Sequence, residues 1–91
     1  MRLDDLKISL AGMPLERPLA TKLFSSAYTF IRIVGIDSNK LILELDPNQI
    51  TTINDLKAYH GGDSEIMIRD SEQSLHKIYG YQIIDNIIVL A

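Results

Sequence analysis

Two alternating apolar runs, separated by a turn-like tetrapeptide, place the tightest limit on how this chain folds. Ile31 and Ile33 alternate with Phe30, Arg32 and Val34, and Leu41, Leu43 and Leu45 repeat the same period of two. Successive strand side chains point to opposite faces, so each run presents one apolar face. Asp37-Ser38-Asn39-Lys40 lies between the runs, and Asn adopts positive φ at little cost. The pattern predicts a β-hairpin. Changing the loop length by one residue flips one strand's side chains to the other face. A three-residue loop is therefore expected, because it joins Ile31, Ile33, Leu41, Leu43 and Leu45 on one face and sets Arg32 opposite Asp46.

Beyond Leu45, Pro47 ends the second strand. Thr52-Ile53-Asn54-Asp55 has the form of a capping box, with Asp55 in place of the usual Glu or Gln. Ile53, Leu56 and Tyr59 or His60 share a helical face, and Gly61-Gly62 stops the helix, so a short helix is predicted over 52–60. Glu65 to Arg69 reads as a third strand, with Ile66 and Ile68 on one face and Met67 on the other. Residues 75–84 fit either a strand or an irregular crossing segment with one helical turn. Asp85-Asn86 is a turn, and Ile87 to Ala91 is a continuous apolar run of the kind buried on both faces.

The first 28 residues read differently. Leu3, Leu6, Leu10 and Met13 recur at helical spacing, while Leu6, Ile8 and Leu10 also alternate like a strand, and both readings stand. Gly12 and Pro14 end that element. After Pro18, Leu19, Leu23 and Phe24 share a helical face, which predicts a short helix.

Two stretches carry a family resemblance. Leu43-Glu44-Leu45-Asp46-Pro47 followed by Thr52-Ile53-Asn54-Asp55-Leu56-Lys57-Ala58 resembles the second strand, turn and helix start of the ubiquitin-like β-grasp family. Ser74-Leu75, Tyr81-Gln82-Ile83 and Asn86 to Leu90 resemble that family's late loop and last strand. The resemblance covers residues 29–91. It implies an α+β domain, a small β-grasp-like mixed sheet in the order β-β-α-β-β, with residues 1–28 as an added, partly helical N-terminal segment. It also implies a core of Ile31, Ile33, Leu43, Leu45, Ile53, Leu56, Ile66 and Ile68, and a Tyr81 hydroxyl that anchors the crossing loop. The departures are a longer Pro47-to-helix link, a shorter helix, a Gly-rich connection at 60–64 and an end at Ala91 with no Gly-Gly tail. Conjugation and sulfur carriage, which need that tail, are therefore not implied. Without the resemblance, the runner-up fold is an antiparallel sheet ending in a hairpin, with Ile84 opposite Ile87 across Asp85-Asn86.

Composition narrows the function. With no cysteine in 91 residues, neither a disulfide framework nor a thiolate metal site is available. The net charge is −3 and the basic residues are scattered. Binding to nucleic acid, which rests on clustered Lys and Arg, is not expected, nor is binding to a membrane. No stretch approaches the roughly 20 apolar residues of a spanning helix, and Met1-Arg2-Leu3-Asp4-Asp5 lacks the apolar run of a secretory signal. A cytoplasmic location is the expectation. His60 and His76, with Asp63 and Glu65, match no metal-ligand spacing. His60-Gly61-Gly62-Asp63-Ser64 follows a helix, whereas phosphate-binding glycine loops precede one. None of the serines sits in a Gly-x-Ser-x-Gly elbow. No catalytic residue, cofactor site or metal site is assigned, and an enzyme is not expected.

What stands out is an apolar surplus. Met67 points away from Ile66 and Ile68, and in the last strand either Ile88 with Leu90 or Ile87 with Val89 and Ala91 must face away from the core. The N-terminal segment covers that second face, or a partner does. Tyr79 and Tyr81 alternate around Gly80, so in a regular strand they share a face. The expected function is a non-enzymatic protein-interaction or assembly module, binding a protein partner or a second copy through Met67, Tyr79, Ile88 and Leu90. The alternative is a small ligand-binding protein or enzyme using the 60–64 loop.

Overall fold

The computed structural model describes residues 1–91. Its elements in chain order are α1 (Leu3–Leu10), β1 (Leu19–Thr21), β2 (Thr29–Asp37), β3 (Lys40–Leu45), α2 (Ile53–Lys57), β4 (Glu65–Arg69), β5 (Leu75–Lys77), β6 (Tyr81–Ile84) and β7 (Ile87–Leu90). The strands form one sheet in the order β5-β4-β3-β2-β1-β7-β6. The pairs β1–β7 and β3–β4 are parallel and the other four are antiparallel.

This arrangement overturns the β-β-α-β-β grasp. The chain is 41% strand and 14% helix, with the strands in a sheet curled into a half-barrel. The single helix between β3 and β4 has five residues and buries only Ile53 and Leu56. So small a helix cannot roof a sheet. The core closes instead by curling, with α1 contributing Leu3, Leu6 and Leu10 to the same cluster as Ile31, Leu41, Leu43, Ile66, Ile68, Ile78, Ile88 and Leu90.

The curl follows from one short connection. β5 and β6 lie at opposite ends of the strand order, yet only Ile78, Tyr79 and Gly80 join them. Four residue steps reach roughly 14 Å, whereas a flat seven-stranded sheet would hold its edge strands about 29 Å apart. Residues 75–84 therefore run as one bent strand that pairs first with β4 and then with β7. The bend is a bulge: the amides of Tyr79 and Gly80 both donate to the Ala91 carbonyl, at 2.9 and 3.1 Å. Two residues opposing one shift the side-chain parity. Tyr81 thus turns toward the core while Tyr79 points out, 80% exposed. The two tyrosines do not share a face, and no crossing loop exists. The Tyr81 hydroxyl lies 2.8 Å from Ser9 Oγ at the end of α1. The runner-up hairpin is present, with Ile84 opposite Ile87. Its turn residues Asp85 and Asn86 have φ of 52° and 64°, as a two-residue hairpin turn of the type I′ class requires.

The β2–β3 hairpin reaches the expected faces by another route. Its loop has two residues, Ser38 and Asn39, both at positive φ, with Asp37 opposite Lys40. That length alone would put the two apolar runs out of phase. A bulge between Ile33 and Gly35 restores the phase, so Ile31 faces Leu45 and Ile33 faces Leu43. Arg32 is consequently opposite Glu44 rather than Asp46. Leu45, at the strand end, is exposed instead of buried.

The 52–60 helix is confined to 53–57, and its capping box forms as expected, with Asp55 N–H donating to the Thr52 hydroxyl. The expected helix after Pro18 is instead strand β1, buried at all three positions. A segment flanked by β2 and β7 has ladder partners on both sides, and those bonds outweigh the weak helical spacing of Leu19 and Leu23. Residues 3–10 resolve to helix, and α1 meets the sheet at its start: Leu3 N–H donates to Ser64 O and Asp4 N–H to Gly62 O.

Candidate functional site

The inner face of the curled sheet is filled by the chain's own helices. The outer face holds a separate set of apolar side chains. There Ala20, Ile87 and Val89 form a second apolar cluster, separate from the main core. They come from the adjacent strands β1 and β7, whose alternation sends Leu19, Ile88 and Leu90 inward and Ala20, Ile87 and Val89 outward. The half-exposed side chains of Tyr28, Phe30 and Ile84 lie against this cluster. The Tyr28 and Phe30 rings meet edge to face with centroids 6.0 Å apart, a favoured aromatic geometry. The result is an outward aromatic and aliphatic patch on β2, β7 and β6.

The residues assigned from sequence lie in different places. Ile88 and Leu90 are fully buried in the main core, so they are not on the surface. Their alternates Ile87 and Val89 hold the outward position. Met67 is on the outer face beside Ile42, and both are buried. Tyr79 alone of the four is freely exposed. Phe30 and Ile84 were not singled out by sequence. The signal was present in the alternation of Phe30 with Ile31, but Phe30 reads as a surface residue until its partner Ala20 is known to be a strand residue.

A charged cluster divides the outer face. Glu44 on β3 pairs with Arg69 on β4, Nη2 to Oε2 at 2.6 Å, and with Arg32 on β2. Asp46 lies 4.0 Å from Arg32. The Arg69 hydrogen bond, reinforced by the charge of both guanidinium groups, holds the Glu44 carboxyl below its usual range against partial desolvation. The cluster balances its own charges, which argues for a structural clamp.

On β5, His76 Nε2 donates to Asp70 Oδ2 at 2.8 Å. Asp70 Oδ1 accepts from the Glu72 and Ser74 amides at 2.8 and 2.9 Å. The His76 bond first, and the Ser74 amide next, lower the Asp70 pKa. Phe24 packs edge-on to His76 at 5.0 Å, which ties the β1–β2 loop to the edge strand. These contacts position a turn. No three His, Asp or Glu side chains lie close enough to hold a metal ion.

The 60–64 loop is held by α1 through the Ser64 and Gly62 carbonyls. The Asp4 carboxyl fills the space beside Gly62 that an anion would need. No helix is long and apolar enough to cross a membrane. Neither a family model, nor a curated protein, nor a solved structure matches the chain.

Proposed function

We propose that this protein is a non-enzymatic interaction or assembly module whose docking face is the outer patch of Tyr28, Phe30 and Ile84. The observation that carries the reading is the second apolar cluster. It is separate from the core cluster that both helices join, and the half-exposed apolar side chains of Tyr28, Phe30 and Ile84 pack on it. Tyr and other aromatic side chains are enriched at binding hot spots because they bury large area with few rotors. The partner is a protein surface, either another chain or a second copy. The 60–64 loop carries no comparable observation in favour of a ligand or an active site.

The test compares Ile84→Lys with Ile8→Lys, a control at the exposed outer side of α1. Self-association is read by sedimentation and partner capture by cross-linking in an extract. The expected result is association in the parent and in Ile8→Lys, lost in Ile84→Lys with the circular dichroism unchanged. A parent that neither self-associates nor cross-links, or an Ile84→Lys chain that associates like the parent, overturns the reading.

A further inference from the structure

We propose that the free edge of β6 pairs with β6 of a second copy of this chain, forming a two-fold antiparallel dimer through the backbone of Tyr81 and Ile83. The contact goes beyond the outer patch. It uses a strand edge instead of the sheet face, and it holds whether or not the patch docks another protein.

β6 ends the strand order, with β7 as its only ladder partner. Gly80 and Ala91 exchange both backbone hydrogen bonds, at 3.1 Å each way. Antiparallel pairs alternate between bonded and non-bonded, so Tyr81–Leu90 and Ile83–Ile88 are the non-bonded pairs of this ladder. The amides and carbonyls of Tyr81 and Ile83 therefore point away from β7. None of these groups is engaged by a turn, loop or cap hydrogen bond. Such a row is a template for strand addition. The side chains leave it accessible: Gln82 is exposed, and Ile83 is 46% exposed although Ile88, opposite it, is fully buried.

The strand's own composition selects a second copy as the occupant. At a two-fold axis a residue meets its own counterpart, so a charge there faces a like charge. Exposed edges commonly carry a charge or a proline that prevents pairing, and Tyr81-Gln82-Ile83-Ile84 has neither. The strand at the other end of the order, β5, carries Lys77 and the half-exposed His76. An axis through Gln82 sets Tyr81 of each copy opposite Ile83 of the other. Each of these two pairs exchanges two hydrogen bonds, which uses every free group of the edge. The Tyr81 ring of one copy then covers the exposed Ile83 of the other. Gln82 shares the outer face with Val89 and meets Gln82 of the second copy, where each side-chain amide both donates and accepts.

Because the chain has no cysteine, single cysteines report the register. In this dimer Gln82 and its counterpart form a non-bonded pair with Cα atoms about 4.5 Å apart, within disulfide reach. Ile84 and its counterpart stand four residues apart along the strands, roughly 13 Å, beyond that reach. Ile83→Pro removes the outward donor and leaves the bonds to β7, a placement edge strands tolerate. The parent is expected to sediment at twice the chain mass, and Ile83→Pro at the single mass with unchanged circular dichroism. In glutathione buffer Gln82→Cys should become a disulfide dimer, while Ile84→Cys stays a mixed disulfide with glutathione. A parent that stays a single chain, an Ile83→Pro chain that still dimerises, or an Ile84→Cys chain that cross-links as readily as Gln82→Cys overturns the edge contact. The last two outcomes would bring copies together through another surface, such as the patch. The first leaves docking of a different protein on the patch untouched. If Ile83→Pro fails to fold, the two cysteine variants decide alone.

Discussion

Glu44 on β3 accepts a hydrogen bond from Arg69 Nε on β4 at 2.7 Å. Because Glu44 also pairs with Arg32 on β2, one carboxylate stitches three adjacent strands on the outer face. It spans the antiparallel β2–β3 pair and the parallel β3–β4 pair.

This carboxyl has a pKa depressed by Arg69 and Arg32. A depressed pKa in the folded state means the unfolded chain binds the proton more readily there. The stabilisation is therefore present above the ordinary Glu pKa and is lost as pH falls through the folded value. Asp70, also depressed, acts in the same direction. Melting temperature should fall on acidification below about pH 4.5. In Glu44→Gln the curve should be flatter, with about 1 kcal/mol or less lost at neutral pH because the pair is partly solvated. An unchanged acid slope in Glu44→Gln would remove this role.

Thr52→Ala should cost about 1 kcal/mol in urea denaturation. The helix it caps has five residues, too few to be stable without its cap. Asp55→Ala should cost a similar amount, and the double variant less than the sum, because the two side chains serve each other's backbone. Full additivity would show that the capping box does not act as a unit.

Gly61→Ala should destabilise more than Gly62→Ala. Gly61 has φ of 108°, with Ile36 Cδ1 3.1 Å from where a Cβ would sit, so alanine is both strained and crowded, costing about 1 kcal/mol or more. At Gly62 the obstacle is the Asp4 carboxyl, the mobile end of a side chain. Gly62→Ala should recover in combination with Asp4→Ala, and Gly61→Ala should not. Thermal melting of the four chains decides the order.

Ile78→Ala should cost about 2–5 kcal/mol. Ile78 is fully buried at the bend, and its carbonyl also accepts from the Met1 amine at 2.8 Å. A loss below about 1 kcal/mol would place Ile78 outside the core.

The hairpin, the capping box, the third strand and the buried last strand were legible because each rests on local spacing. What escaped was set by non-local pairing. A two-residue loop with a bulge near Gly35 puts the same apolar residues on one face as a three-residue loop does, so the apolar pattern cannot separate them. β1 has three residues and no alternation, and only its ladders to β2 and β7 make it a strand. The Tyr79–Gly80 bulge leaves no periodic trace because it is itself a break in period. For the candidate sites, a second apolar face was foreseeable, but which half of Ile87 to Leu90 formed it was not. The edge of β6 carries no motif, and a free row of amides exists only once the fold sets the strand order.

The bent strand over residues 75–84 decides which side chains face in and out, and cross-strand Hα–Hα nuclear Overhauser effects test it most directly. Such contacts are strongest at pairs that share no hydrogen bonds. The reciprocal Gly80–Ala91 bonds at 3.1 Å and the Ile78-to-Ile66 bond at 3.3 Å identify these as Tyr81–Leu90 and Lys77–Met67. The expected result is both contacts in one sample at equal strength. Contact of Lys77 with Met67 but none between residues 81–84 and 87–90 would contradict the curled sheet and the outer face built on it.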